Sequence, residues 1–242
     1  MFRLSEVMIR AATAPFAELD EIIGTGGLVV LAPHPDDESL GCGGLLCAAA
    51  QAGRNVAVMV VTDGRLSHPS SPSVDADALA QIRTAELRDA VKTLHPDIRL
   101  HDLGFHDCGV SDTPPGSDAA VEAILAAIDA IGATALFTTW RGDPHQDHVA
   151  TAALARQAAA ERPDVRLWSY PIWGRFTETE IPLPAMILQF DTAPHQVTKT
   201  AAIACHRSQM TRLIADDPQG FMMSPAMQMH FIDHPEVFLA DA

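Results

Sequence analysis

The feature that most constrains this chain is an alternation of short apolar runs with longer amphipathic stretches. The runs Gly27–Pro33 and Asn55–Thr62 have the length of strands and are too short to cross a bilayer. Each is followed by a stretch of helical length and spacing, Leu40–Ala52 and Ala76–Leu94 respectively. Apolar strands that alternate with helices are typical of a parallel sheet covered on both faces. We therefore predict an α/β, Rossmann-like three-layer fold with a mostly parallel sheet.

The same pattern continues through the middle of the chain and then weakens. Residues 1–242 contain no internal repeat and no linker that would divide them, so we predict a single domain. The tail after Asp216 is rich in methionine, and we predict little regular secondary structure there. The further predicted strands and helices are Ile98–Leu103, Ser117–Ile131, Ala135–Trp140, Gln146–Glu161 and Val165–Tyr170.

The charge and cysteine content of the chain indicate which partners it disfavours and in which cellular compartment it folds. The chain has 31 acidic and 16 basic side chains, a formal net charge of −15. This excess of negative charge disfavours nucleic acid and anionic membrane surfaces as partners. The 4 cysteines show no regular spacing, and the first residues are too acidic for a signal peptide. We therefore expect a reduced, cytoplasmic protein.

Ionisable residues follow four of the predicted strands. In an open parallel sheet, ligands bind outside the carboxyl ends of the strands. We therefore expect a functional site where these segments meet. The segments are His34–Glu38, Asp63–Arg65, Gly104–Asp107 and Arg141–His148.

The segment after the fourth strand has the pattern of a helix start that carries metal ligands. Asp143 suits the N-cap and Pro144 the first helical position. His145 and His148 are then three residues apart and share one face of the helix. Two imidazoles near a carboxylate form a donor set that Zn²⁺ accepts, with an open position for water.

The segment after the first strand adds a histidine and two adjacent carboxylates, His34, Asp36 and Asp37. Neighbouring aspartates cannot easily point in the same direction. One can therefore bind a metal ion while the other takes a proton from the bound water. The glycines of Gly41–Gly44 lack the spacing of a phosphate-binding loop, and we interpret them as allowing close approach of a helix to the sheet.

Two motifs together resemble the LmbE/PIG-L family of zinc-dependent N-deacetylases. They are the run Ala32–Glu38 (A-P-H-P-D-D-E) with Gly41–Gly44, and His145–His148 (H-Q-D-H). Weaker likenesses extend through Thr62–Gly64, Arg83–Glu86 and the stretch between Lys199 and Gln209. The resemblance implies a Rossmann-like fold and removal of an acetyl or related acyl group from a sugar-linked amine.

The resemblance also implies a metal site and a base. His34, Asp37 and His148 would bind one zinc ion per chain, and iron(II), cobalt or another divalent ion could occupy the same ligands. Asp36 would act as the general base.

Five further residues receive roles from the same resemblance or from their place beside the expected cleft. His145 would polarise or protonate the substrate, and Asp147 would form a hydrogen bond to it. Whether His145 acts as a cation or as a neutral donor stays open. Arg83 matches a substrate-contacting arginine, and Asp143 stands where some members carry a tyrosine. We expect Asp63, Arg83 and Asp143 to contact substrate.

Three functions of different classes remain open at this point. The first is a deacetylase of a neutral N-acetylated amino sugar or glycoconjugate, because acidic and aromatic loop residues suit hydroxyl groups and ring faces. The second is a zinc amidohydrolase that cleaves a larger acyl or peptide-like amide. The third is a non-catalytic Rossmann module that binds a sugar or nucleotide. We expect no insertion into a membrane, and we expect the remaining histidines, His206 among them, to be solvated.

Overall fold

One mostly parallel sheet organises the computed structural model, which describes residues 3–240. The strand order is β3-β2-β1-β4-β5-β7-β6; neighbours from β3 to β5 run parallel, and β7 is antiparallel to both β5 and β6. This arrangement confirms the predicted α/β fold. The strands are β1 Gly27–Ala32, β2 Val56–Thr62, β3 Arg99–Phe105, β4 Ala133–Thr139, β5 Arg166–Tyr170, β6 Met186–Phe190 and β7 Glu236–Ala240.

Helices cover both faces of the sheet. On β1, Leu28 and Val30 pack into a core beneath α3, α4 and α7, whereas Val29 and Leu31 pack into a second core beneath α5 and α6. The strand is apolar throughout because both of its faces are buried. The helices are α1 Glu6–Ala11, α2 Leu19–Ile23, α3 Asp37–Gln51, α4 Ala76–Leu94, α5 Asp118–Ile131, α6 Gln146–Glu161, α7 Gln196–Cys205, α8 Arg207–Met210 and α9 Pro225–Asp233.

The region after Asp216 is more regular than predicted. It contains α9 and β7, so the expectation of little secondary structure there was wrong. The Ser224 side chain caps α9 by accepting a hydrogen bond from the Met227 N–H, and Pro225 occupies the first turn. The strand β7 begins at the buried Glu236, and only four apolar residues, Val237–Ala240, follow it, which is a short signal for a strand.

The glycines at the start of α3 allow close packing on the sheet, as predicted. A Cβ atom on Gly41 would collide with the ring of Tyr170 in β5. Tyr170 is itself fixed because its hydroxyl donates to the Leu31 carbonyl of β1. Gly41 therefore keeps the start of α3 directly above the strands that carry the site.

The strand order reverses between β1 and β4, which lie side by side at the centre of the sheet. Connections from these two strands leave in opposite directions, and the crevice between them is where open α/β sheets bind ligands. Within residues 3–240, no helix combines the length and apolar character needed to cross a bilayer.

Candidate metal-dependent active site

The loops after β1, β3 and β4 meet at this crevice and line a cavity of about 240 Å³. The loop after β2, the connection after β5 and the segment before α9 add to its walls, together with Arg83 of α4 and Gln209 of α8. The ionisable residues in the lining are His34, Asp36, Asp37, Arg83, Asp107 and His145. The structure thus brings together the segments after β1 and β4 that carry the two motifs.

Three donor atoms form a tight triangle beside this cavity. His34 Nδ1 lies 3.3 Å from His148 Nε2, and Asp37 Oδ2 lies 3.5 Å from the first atom and 3.4 Å from the second. A tetrahedral zinc ion with bonds of about 2.0–2.1 Å requires separations of about 3.3–3.4 Å between its ligand atoms. All three residues are buried. Two imidazole nitrogens and one carboxylate oxygen therefore fit a zinc ion in both chemistry and spacing.

The opposite nitrogen of each imidazole in the triangle is held by a carboxylate. His148 Nδ1 donates to Asp143 Oδ2 at 2.8 Å, and His34 Nε2 lies 3.1 Å from Asp147 Oδ2 and 3.4 Å from Asp107 Oδ1. Such carboxylates fix the tautomer and the orientation of metal-binding histidines. The remaining nitrogens, His34 Nδ1 and His148 Nε2, are thereby left as the metal-facing donors.

His145 lies close to the triangle, but we do not assign it as a metal ligand. A looser group of donor atoms from His34, His145 and His148 lies within 4.8 Å, and a second such group joins His34 and His145 to Asp107 and Asp147. We favour the tighter triangle with Asp37 because its separations match those of a tetrahedral ion. In the second group, His34 Nε2 is the nitrogen that already bonds Asp147.

His145, and not Asp143, is the N-cap of α6. Its Nδ1 accepts the backbone N–H of Asp147 at 3.2 Å, so the predicted N-cap was wrong. The predicted bond between the Asp147 carboxylate and His145 is also absent, because that carboxylate accepts from His34 and from the Cys108 N–H. An imidazole that accepts at Nδ1 carries its proton on Nε2. Burial lowers the pKa of His145 and the nearby His34 and His148 lower it further, which favours the neutral form.

Asp36 stands next to the triangle without belonging to it. Its backbone has φ 141°, a region that non-glycine residues rarely adopt, and α3 begins at the next residue. Arg83 lies behind it, with Nη2 2.7 Å from the Pro35 carbonyl and 3.4 Å from Asp36 Oδ2. This backbone turn points the two adjacent aspartates to different partners, as the sequence predicted.

A second buried network holds the Asp36 backbone. Glu38 Oε2 accepts the Asp36 N–H at 3.0 Å, while Glu38 Oε1 accepts from the Ser39 hydroxyl at 2.6 Å and lies 2.9 Å from His206 Nε2. Glu38 and His206 are both fully buried. The expectation that His206 is solvated was therefore wrong. The sequence signal for Glu38 was its place at the end of the first motif, whereas His206 lay only within the weaker likeness between Lys199 and Gln209.

Charge and burial separate the two adjacent aspartates. Burial raises the pKa of Asp36 to about 6, against the opposing effect of the Arg83 guanidinium. Burial acts the same way on Asp37, but the facing His148 and His34 outweigh it and lower the pKa of Asp37 to about 2. Asp37 thus favours its anionic form, which suits a cation, whereas Asp36 can exchange a proton closer to neutral pH.

The carboxylates around His34 favour a positive charge at its imidazole. Burial tends to lower the pKa of His34, but hydrogen bonds to Asp107, Asp147 and Asp37 raise it well above its usual value of 6.5. A metal ion and a proton therefore compete for this imidazole.

The residues expected to contact substrate lie in three different environments. Arg83 lines the cavity, but its guanidinium donates to the Gly64 and Pro35 carbonyls. Asp143 is buried behind His148 and does not line the cavity, because it also accepts the N–H groups of Ile172 and Trp173. Asp63 is likewise outside the lining, since its carboxylate bonds Arg65 and His106. The geometry therefore does not support direct substrate contact for Asp63 or Asp143.

Comparison with known proteins agrees with the fold and the motifs. The chain is 34% identical over 115 residues to 1D-myo-inositol 2-acetamido-2-deoxy-alpha-D-glucopyranoside deacetylase of Kineococcus radiotolerans, a match that covers 44% of this chain and 32% of that relative. It is 26% identical to the probable N-acetyl-alpha-D-glucosaminyl L-malate deacetylase 2 of Bacillus cereus, over 78% of this chain and 86% of the relative.

Solved structures share the architecture. A conserved protein from Thermus thermophilus superposes with a TM-score of 0.63 at 25% identity, covering 90% of this chain and 96% of that one. A deacetylase of teicoplanin biosynthesis superposes with a TM-score of 0.67 at 20% identity over 88% of this chain and 96% of that one, a likeness that concerns the fold alone. Residues 29–159 match the family model described as PIG-L, GlcNAc-PI de-N-acetylase. This match spans both motifs and more than half of the chain, which therefore belongs to the PIG-L family.

Proposed function

We propose that this protein is a metal-dependent N-deacetylase that hydrolyses the N-acetyl or a similar N-acyl group of an amino sugar or glycoconjugate. The observation that carries the proposal is the triangle of His34 Nδ1, Asp37 Oδ2 and His148 Nε2, with the carboxylate of Asp36 beside it in the cavity lining. Membership of the PIG-L family supports the reaction class. Relatives named as deacetylases of N-acetylglucosamine derivatives support the substrate class.

The proposed resident metal is a single zinc ion held by His34, Asp37 and His148. When bound, such an ion would act as a Lewis acid. It would lower the pKa of water to near neutral and polarise an amide carbonyl. Asp143, Asp147 and Asp107 hold the two imidazoles in the orientation that binding requires.

The chain's own groups move the protons of the hydrolysis. Asp36 takes a proton from the attacking water, whose oxygen bonds to the acyl carbon as the C–N bond breaks. Asp36 then passes this proton to the departing amine, while the neutral His145, with its proton on Nε2, donates a hydrogen bond to the substrate. Arg83 and Glu38 hold the side chain and the backbone of Asp36, so that the base keeps a fixed position.

The two alternatives differ from this proposal in what they require. A non-catalytic sugar- or nucleotide-binding module has no use for a buried carboxylate beside a complete set of metal ligands. An amidohydrolase of peptide-like amides would use the same metal ligands and the same base on another substrate. Only a comparison of substrates can therefore separate it from a deacetylase of amino sugars.

The test is acetate release from a panel of N-acetylated compounds by the zinc-loaded protein. The panel contains N-acetylglucosamine, an N-acetylglucosaminyl glycoside, an N-acetylated peptide and an N-acetylated amino acid. We expect acetate from the sugars only, and we expect the Asp36→Asn variant to release little from any member. Release from the peptide but not the sugars would favour the amidohydrolase, and no release from any member would contradict both enzymes.

A further inference from the structure

The cavity next to the metal-ligand triangle has two walls of opposite character. One wall carries the ionisable residues described above. The other is apolar, and three of its residues are almost completely buried at about 1% exposure. We call this part, together with the equally buried Gln209, the closed end of the cavity. Those three are Leu40, Ile172 and Met223, and the wall continues towards solvent through Trp173, Phe221 and Leu66.

The apolar wall is fixed in place relative to the metal ligands. Asp143, which holds His148, also accepts the backbone N–H groups of Ile172 and Trp173 at 3.0 and 3.1 Å. On the other side, the Phe221 N–H donates to the Ser67 carbonyl at 2.8 Å, and the rings of Trp173 and Phe221 pack edge to face. A cavity whose walls are already set needs little ordering when a ligand binds.

The closed end offers few hydrogen bonds to a ligand. Apart from the ionisable wall, the polar side chains in the lining are Ser67 and Gln209, and Gln209 Nε2 already donates to Ser67 Oγ at 3.0 Å. Sugar hydroxyls buried against Leu40, Ile172 and Met223 would lose their water partners without replacement. The open side, at Asp107, Cys108 and His145, retains both solvent and polar groups.

We propose that the closed apolar end receives the acyl chain of the substrate, and that this chain is several methylenes longer than acetyl. The inference rests on the proposed function: the amide lies at the triangle, the sugar stays at the open, polar side, and the acyl chain packs along Leu40, Ile172 and Met223. Hydrolysis then releases a free amine and a short-chain carboxylate, with water supplying the oxygen and the proton. The substrate class is an amino sugar that is N-acylated by a short linear fatty acid.

The experiment measures kcat/KM for amine release from N-acetyl-, N-butanoyl- and N-hexanoylglucosamine by the zinc-loaded protein. We expect kcat/KM to rise with chain length by up to about fourfold per methylene, the factor that ~0.8 kcal/mol per buried CH₂ gives. An octyl glycoside of N-acetylglucosamine forms the second arm. We expect it to gain much less, because its alkyl chain is on the sugar side of the amide.

Matched phenylalanine variants locate the effect. Phe221→Ala should lower the ratio of kcat/KM between the hexanoyl and acetyl substrates, whereas Phe16→Ala, at an exposed phenylalanine outside the lining, should leave that ratio unchanged. The chain-length series on the unaltered protein tests the inference even if the Phe221 variant folds poorly.

Three results would overturn the inference. A flat or falling dependence on acyl length with good N-acetyl activity would do so while leaving the proposed function intact. A larger gain for the octyl glycoside would assign the apolar end to the aglycone instead. Failure to release amine from any substrate would contradict the inference and the proposed function together.

Discussion

Asp36 and Asp37 are adjacent in sequence but differ in what their carboxylates contact. Asp37 Oδ2 faces the imidazoles of His34 and His148, whereas Asp36 faces the cavity and the Arg83 guanidinium. We therefore predict that Asp36→Asn keeps its metal but loses about 10²–10⁴-fold in kcat, the range for removal of a general base. Asp37→Asn should instead weaken metal affinity. Metal content and kcat of both variants check this, and the opposite pattern would exchange the two roles.

Asp143 acts on the metal site through His148 rather than by contact with substrate. Its carboxylate is fully buried and accepts from His148 Nδ1 at 2.8 Å. Loss of such a carboxylate typically costs about 10–100-fold in metal affinity. We predict a loss of this size for Asp143→Asn in a zinc competition titration. Asp217→Asn is the matched control, because Asp217 is also buried but accepts the N–H groups of Ser70 and Gln219 outside the cavity lining, so its zinc affinity should stay unchanged. An equal loss in both variants would refute the assigned role.

At the scale of elements, a buried ion pair joins three parts of the fold. Lys199 Nζ of α7 lies 2.7 Å from Glu236 Oε1 of β7, and Glu236 also accepts the N–H groups of Gly44 and Leu45 in α3. Removal of one partner leaves the other charge buried without its counter-charge, at a cost of about 3–5 kcal/mol. We predict a loss of that size in the free energy of unfolding for Lys199→Met. Urea denaturation checks it, and Lys92→Met, at an exposed lysine, should change stability by less than ~0.5 kcal/mol. A small loss for Lys199→Met would show that the pair does not hold these elements together.

The contact between α3 and the start of α8 predicts a dependence of stability on pH. Burial tends to lower the pKa of His206, but the charge and hydrogen bond of Glu38 outweigh it and raise the pKa above the usual 6.5. A raised pKa in the folded state stabilises the protein fully below about pH 6.5, and this contribution disappears as the pH rises through the folded pKa. We therefore predict that His206→Asn reduces the free energy of unfolding more at pH 6 than at pH 9. If the free energy of unfolding of His206→Asn differed from that of the unaltered protein by the same amount at pH 6 and at pH 9, the prediction would be contradicted.

The elements also show what local sequence can and cannot predict. The bounds of α4 and α6 agree with the pattern because Ala76–Leu94 and Gln146–Glu161 have helical spacing of their own. The strand β7 was missed because its apolar run, Val237–Ala240, is short and begins next to Glu236, whose buried charge is compensated by Lys199 from a distant helix. The N-cap of α6 was misassigned for a similar reason: Asp143 is drawn to His148 and to the loop after β5, and His145 takes its place.

At the scale of the whole molecule, the topology accounts for the site. The two motifs are far apart in the chain, but they follow β1 and β4, which are neighbours at the reversal of the strand order. Sequence could therefore predict which segments meet. It could not predict that Glu38 and His206 support Asp36, or that Asp147 bonds His34, because these contacts join residues distant in sequence and depend on the exact course of the backbone.

The central claim is that the triangle of His34, Asp37 and His148 holds one divalent ion on which hydrolysis depends. Its most direct test is a titration of zinc into the metal-stripped protein, in which bound metal and acetate release from an N-acetylated sugar are followed together. The account predicts that activity rises in parallel with bound zinc and saturates at one ion per chain, and that His148→Ala loses both while remaining folded. Full activity in the stripped protein, or one tightly bound zinc in His148→Ala, would contradict it.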